Sequence, residues 1–235
     1  VLGNINIQYS TYLKQIFLIL YISLLFPDAC NMELVGYLDL GQTLLTPNSD
    51  ITGFEQDGRE FAVVGVYDGV VFIDISDPSN PVKIKKINGM PTKWRDIKYW
   101  DRHVYIGADF AADGVKVISV DNPDNPVHVN TITDILSCHN IYIDDEGFLY
   151  VVQGTTYHPS FEKSQILIYH LNNPSTPELV TTWDGEYIHD IEVFNNKIYG
   201  AAYFSGRFYI IDVSDKSNPT TIITHYTGAE KTTHD

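Results

Sequence analysis

Three histidines in this chain stand beside a polar or acidic partner: His139-Asn140-Ile141, His189-Asp190-Ile191 and, at the very end, His234-Asp235. Neutral imidazoles with carboxylates nearby can hold a divalent metal, and His139, His189 and His234 are the expected ligands of such an ion. A metal held there could polarise an oxygen or activate water. Without a metal, His and Asp could exchange protons with a sugar or peptide substrate. No local motif supports either chemistry. The histidines are 50 and 45 residues apart, so only a fold can bring them together. Two earlier pairs, Ser49-Asp50-Ile51 and Arg95-Asp96-Ile97, continue the series, and the second members lie 46, 44, 50 and 45 residues apart. A structural reading is available for all of them, because a repeated polar residue at a strand head can tie one unit to the next through side chain to backbone bonds.

The elements that position these residues are repeats. Val71-Phe-Ile-Asp-Ile-Ser-Asp-Pro-Ser-Asn-Pro81 returns as Val115–Pro126, Ile166–Pro177 and Phe208–Pro219, and the closing prolines are 45, 51 and 42 residues apart. Each copy is a strand followed by a polar turn that ends in Pro, and another strand follows. Each polar pair opens a strand that turns at Gln56-Asp57-Gly58, Trp100-Asp101-Arg102, Asp145-Glu146-Gly147 or Asn195-Asn196, the second being the least typical turn chemistry. A four-stranded antiparallel meander of this period is the signature of a β-propeller blade. The expected fold is therefore all-β, with blades at about 50–90, 95–134, 139–184 and 189–228. Met32–Leu40 reads as a lone outer strand of a partial flanking blade. The chain stops where a fifth inner strand should begin, so it reads as four complete blades within a fragment of a larger propeller.

In that fold the polar pairs gather around one mouth of the central channel. The expected ligand-binding set is Asp50, Arg95, Asp96, His139, Asn140, His189, Asp190, His234 and Asp235. The long segment 153–165 interrupts the regular spacing and should overhang the same mouth with Tyr157 and His158. Trp94 and Trp183 are expected to pack between blades, though an aromatic at the mouth could also stack on a sugar. Asp121–Asn125 and Asp144–Gly147 read as turns, because neither carries a complete calcium-loop pattern. No Gly-rich phosphate loop, nucleophile elbow or paired-cysteine zinc site is present, so no catalytic residue is assigned.

Composition narrows the partners. A formal charge of −15 leaves no basic stripe for phosphates, so no nucleic-acid partner is expected. Lys14 precedes the eleven-residue apolar run Ile16–Phe26, which has the length of a signal-peptide core and is short for a bilayer span. Residues 1–30 are accordingly read as an export signal and 31–235 as the partial propeller. Ala29 before Cys30 hints at lipidation of Cys30, although Pro27 and Asp28 depart from the usual pattern; simple cleavage nearby is the plainer alternative. Membrane contact would come only through that signal or lipid anchor. Cys138 is then a lone, buried thiol.

Ser49–Phe54, Trp94–Lys98, Cys138–Ile141, Trp183–Asp190 and Gly206–Pro219 together resemble the LVIVD-repeat propellers called choice-of-anchor B proteins, from about residue 32 onward. The resemblance implies a secreted or surface-attached protein with further blades, and it implies no established reaction. The leading expectation is an exported, cell-surface-associated module that binds an extracellular protein or glycan at the channel mouth. A metal-dependent hydrolase or lyase acting on extracellular polymers is the rival, and a structural spacer domain is the third reading.

Overall fold

A computed structural model describes residues 32–154, 164–228 and 233. Sixteen strands form four separate four-stranded sheets, each an antiparallel meander in chain order. The first contains β1 (Ile51–Gln56), β2 (Arg59–Val66), β3 (Gly69–Asp74) and β4 (Val82–Asn88). The second contains β5 (Trp94–Trp100), β6 (His103–Asp109), β7 (Val115–Ser119) and β8 (Val127–Ile132). The third holds β9 (Cys138–Ile143), β10 (Phe148–Gln153), β11 (Ser164–His170) and β12 (Glu178–Gly185). The fourth holds β13 (Asp190–Phe194), β14 (Lys197–Ala202), β15 (Arg207–Asp212) and β16 (Thr220–Tyr226).

The sheets are β-propeller blades. Their first strands lie against one another in the order β1, β5, β9, β13, so residues distant in sequence meet along a common inner line. The apolar side chains form clusters between successive blades. Phe54, Phe61, Val63 and Phe72 of the first blade pack on Ile97, Val104, Ile106 and Ile118 of the second. Tyr105, Val115 and Val117 of the second meet Ile141, Leu149, Val151 and Tyr169 of the third. Tyr150, Ile166, Ile168 and Trp183 of the third meet Ile191, Ile198 and Ile211 of the fourth. Middle strands are thus covered on both faces, which is why Phe61 to Val66 of β2 are buried without alternation.

Turn chemistry and blade contacts explain the repeated sequence signals. Asp57-Gly58, Asp101-Arg102 and Asn195-Asn196 all have left-handed backbone at both positions, as two-residue hairpins joining twisted strands require. The Pro turn of each later blade receives the first hairpin of the blade before it. Gln56 Nε2 donates to the Val120 carbonyl at 2.8 Å, the Tyr105 hydroxyl to the Pro174 carbonyl at 2.8 Å, and Lys216 pairs with Glu146 at 2.9 Å. Lys216 stands where the other three copies have Pro, and its ammonium also lies 3.3 Å from Asp144 and over the Phe148 ring.

One expected element is absent as drawn. Residues 32–40 carry no strand pairing. Within that stretch Leu38 and Leu40 pack beside Ala62, Val64, Val71 and Ile73 on the first blade's other face, while Tyr37 and Asp39 face out. The period-2 pattern records an extended segment laid across a sheet face rather than a strand added to its edge. The expected export signal at 1–30, including Cys30, lies outside the described residues.

Candidate functional site

Strand pairing sets the mouth. Trp94 opposes Asp109, Asp96 opposes Gly107, Cys138 opposes Gln153 and Asp190 opposes Ala201. The heads of the inner strands and the ends of the second strands therefore share one edge. A cavity of about 550 Å³ opens there. Asp50, Trp94, Asp96, His139, Asn140 and Asp190 line it, with Lys93, Lys98 and Glu192 adding charge. Gln153 and Gly154, where the third-blade insertion begins, lie at the same edge, and residues 155–163 lie outside the described residues. Tyr157, His158, His234 and Asp235 lie outside the described residues.

Within this set, three side chains form a relay between blades. Asp50 Oδ2 accepts the Ile97 N–H at 2.8 Å, Asp96 Oδ2 accepts the Ile141 N–H at 2.8 Å, and Asn140 Oδ1 accepts the Ile191 N–H at 3.1 Å. Each isoleucine is buried in an interblade cluster, at 0%, 0% and 4% exposure. The polar residue thus satisfies a buried N–H beside the apolar plug that joins the blades. Asn140 also donates through Nδ2 to Asp96 Oδ2 at 2.7 Å, linking two rungs directly. Lys98 pairs with Asp96 at 2.5 Å and lies 3.9 Å from Asp50. Burial pushes the Asp96 carboxyl up to about 6, against the opposing pull of Lys98 and the Ile141 N–H.

Arg95 is also part of the cavity lining, but its side chain is turned into the protein. Its side chain is 1% exposed and donates to the carbonyls of Val66 and Met90, with Asp113 at 3.7 Å. Adjacent strand residues point to opposite faces, so the pair Arg95-Asp96 divides: Asp96 faces the relay, and Arg95 locks the connection from the first blade. The two tryptophans divide between the two expected places. Trp94 is 54% exposed on the cavity rim, whereas Trp183 is buried at 7% between the third and fourth blades and donates to Thr221 Oγ1 at 3.2 Å.

The histidines are held differently. His139 Nδ1 lies 2.8 Å from Asp109 Oδ2, and the Asp109 carboxylate also accepts from Ser137 Oγ at 2.5 Å and the Phe110 N–H at 2.8 Å. Asp109 is fully buried, which would raise its pKa. The hydrogen bonds from His139, Ser137 and Phe110 outweigh that and hold it below the usual carboxylate range. Phe110 adopts a left-handed backbone at φ 54°, an uncommon conformation for a bulky side chain. Gly154 is the necessary neighbour, since a Cβ there would sit 2.1 Å from Asp109 Oδ1. The His189 ring lies 3.9 Å from the His139 ring between centroids, tilted by 52°, and its Nδ1 is 2.5 Å from Asp190 Oδ2. Tyr203 stacks on the His189 ring, and Tyr187 makes a T-shaped contact with it.

The sequence reading missed Asp109, Ser137, Lys98, Tyr187 and Tyr203. Asp109 had a signal: it is an acid ending an otherwise apolar second strand, at the height of the mouth. Tyr187 and Tyr203 had none, because tyrosines are common throughout this chain. Cys138 is buried and, among the described residues, is a free cysteine; burial raises its thiol pKa well above the ordinary value.

The LVIVD repeat family matches residues 60–88 and 188–227. The first and last blades thus carry LVIVD repeats. The second matched segment contains His189, Asp190 and all four strands of the last blade. Among solved structures, the chain is similar to a functionally unknown protein from Desulfotomaculum acetoxidans DSM 771, with TM-score 0.58 and 13% identity over 77% of this chain and 58% of that one. It is also similar to a hypothetical selenium-binding protein from Sulfolobus tokodaii (TM-score 0.39, 10% identity, 72% of this chain and 60% of that one). A third match is an α-L-arabinofuranosidase from Clostridium thermocellum ATCC 27405 (TM-score 0.46, 14% identity, 81% and 74%). The first shows the fold, and the other two are too distant to support more. The chain spans 58% and 60% of the length of the first two proteins. A comparison with curated protein sequences gave no match.

Proposed function

We propose that this propeller is an exported, cell-surface-associated module of the choice-of-anchor B kind that binds an extracellular glycan at the inner-strand mouth. The observation that supports this reading is Trp94, an indole half-exposed on the rim of a cavity of about 550 Å³ whose lining is mostly polar and charged. An aromatic face beside hydrogen-bonding groups suits a sugar ring, which presents an apolar face and a hydroxyl edge. Lys93, Asp50 and Glu192 are placed to meet those hydroxyls. Glycan-array binding followed by titration calorimetry tests the reading. Trp94→Ala should reduce affinity at least tenfold, and deleting 155–163 should alter which glycans bind. Equal binding by the wild type and both variants, or selective capture of a protein ligand only, overturns it.

A further inference from the structure

We propose that His139, His189 and Asp190 form a site for one divalent first-row transition ion, with zinc as the reference case, held in place by Asp109 and open toward the mouth cavity. The proposal rests on reading this mouth as a binding face, and it names a metal as part of what that face presents to a ligand.

Geometry comes first. One ligand atom from each of His139, His189 and Asp190 can be chosen so that all lie within 4.8 Å of one another. Zinc bonds to nitrogen and oxygen at about 2.0–2.2 Å, so two tetrahedral ligands lie about 3.3 Å apart; small side-chain rotations close that difference. Two imidazoles and a carboxylate suit borderline first-row ions and leave a coordination position for water or a ligand oxygen.

The surroundings have the form of a metal site's outer layer. The buried Asp109 carboxylate occupies His139 Nδ1 and thereby fixes the ring and presents Nε2 as the ligating nitrogen. A carboxylate behind a ligating histidine is the common supporting arrangement, and it raises the basicity of the imidazole. Asp109 itself is fixed by Ser137 and the Phe110 N–H, close against Gly154, where a Cβ would sit 2.1 Å from Asp109 Oδ1. A second observation is independent of these. Tyr187, at 3% exposure and in a T-shaped contact with His189, has a hydroxyl with no hydrogen-bond partner among the described residues. A buried hydroxyl normally finds a partner, and a water or ligand oxygen on the ion would supply one. His139 and Asp190 both line the cavity, so the open coordination position faces the proposed ligand.

The test uses the full chain, stripped of metal and then equilibrated with Zn²⁺ or Co²⁺ alone, with no glycan present. One ion per chain should be retained, and Co²⁺ should give the visible absorption of a four- or five-coordinate site. On adding Zn²⁺, imidazole NMR signals of His139 and His189 should shift in the unmodified protein. His139→Ala and His189→Ala should each weaken retention at least a hundredfold. Asp109→Asn, a positioning change, should weaken it about 10–100-fold and alter the Co²⁺ spectrum. His128→Ala, on an exposed outer strand, should change nothing. Circular dichroism establishes that each variant is folded. No retained ion, unshifted His139 and His189 signals, or equal retention by His139→Ala/His189→Ala overturns the proposal. If the metal binds and no glycan does, the metal site stands and the glycan reading alone falls.

Discussion

Asp96 Oδ2 accepts the backbone N–H of Ile141 at 2.8 Å, across 45 residues and from one blade to the next. The same bond recurs as Asp50 to Ile97 and Asn140 to Ile191. A carboxylate or amide at the head of each inner strand thus closes the polar account of the following strand. Removing the middle rung by Asp96→Ala should lower stability by about 1–3 kcal/mol, because the buried Ile141 N–H loses its acceptor. Asp50→Ala should cost less, since the Asp50 side chain is 35% exposed and water can replace it. Denaturant unfolding of both variants checks the order.

Asp96 also sets a pH dependence. Its carboxyl is raised to about 6 by burial, with Lys98 pulling it down and Asp50 pushing it up. The folded protein therefore holds this proton more tightly than the unfolded chain does. That contribution is fully present below about pH 4 and is lost as pH rises toward about 6. Asp109 acts in the opposite sense: its lowered carboxyl adds stability above about pH 4, which is lost on further acidification. Melting temperatures across pH 4 to 7 should show a declining component that Asp96→Asn removes.

The two tryptophans should separate stability from recognition. Trp183 is buried between blades, in a T-shaped contact with Tyr209. Trp183→Ala should cost about 3–5 kcal/mol. Trp94→Ala should leave stability within about 0.5 kcal/mol, because the side chain is half in water. Thermal melts of the pair check this directly.

Gly154 guards the Asp109 carboxylate. A methyl group there would meet Asp109 Oδ1 at 2.1 Å and Ser137 Oγ at 2.4 Å. Gly154→Ala should therefore displace Asp109, lower stability by about 1–3 kcal/mol, and loosen His139. A crystal structure of the variant, or the His139 ring resonances, should show the lengthened bond to Asp109.

Arg102 occupies a hairpin position with φ of 60°, where the first blade has Gly58 at φ 77°. Left-handed backbone costs a non-glycine residue about 1–2 kcal/mol. Against this, the Arg102 side chain gains an exposed ion pair with Asp57 at 2.9 Å and a long hydrogen bond to the Asp121 carbonyl at 3.5 Å. Arg102→Gly should raise stability by up to about 1 kcal/mol, and Gly58→Arg should lower it. Chemical denaturation midpoints measure both.

The linear order of residues determined the meander, its repeat and the height of every polar pair along its blade. Hydrophobic runs, turn residues and prolines are local signals, and their spacing carries directly into strand length and phase. Asp50, Asp96, His139, Asn140 and Asp190 could thus be assigned to one edge before any geometry was known. Tertiary structure decided which way each of those side chains turned and what it met. Arg95 and Asp96 are neighbours in sequence, yet strand alternation sends one to buried carbonyls and the other to the next blade. Trp94 and Trp183 precede similar motifs, yet one lies on a cavity rim and the other in a blade interface. Asp109, 30 residues from His139, became its partner only because adjacent blades bring the end of β6 against the head of β9. Pairings of this kind depend on blade-to-blade rotation and packing, which no local run of residues encodes.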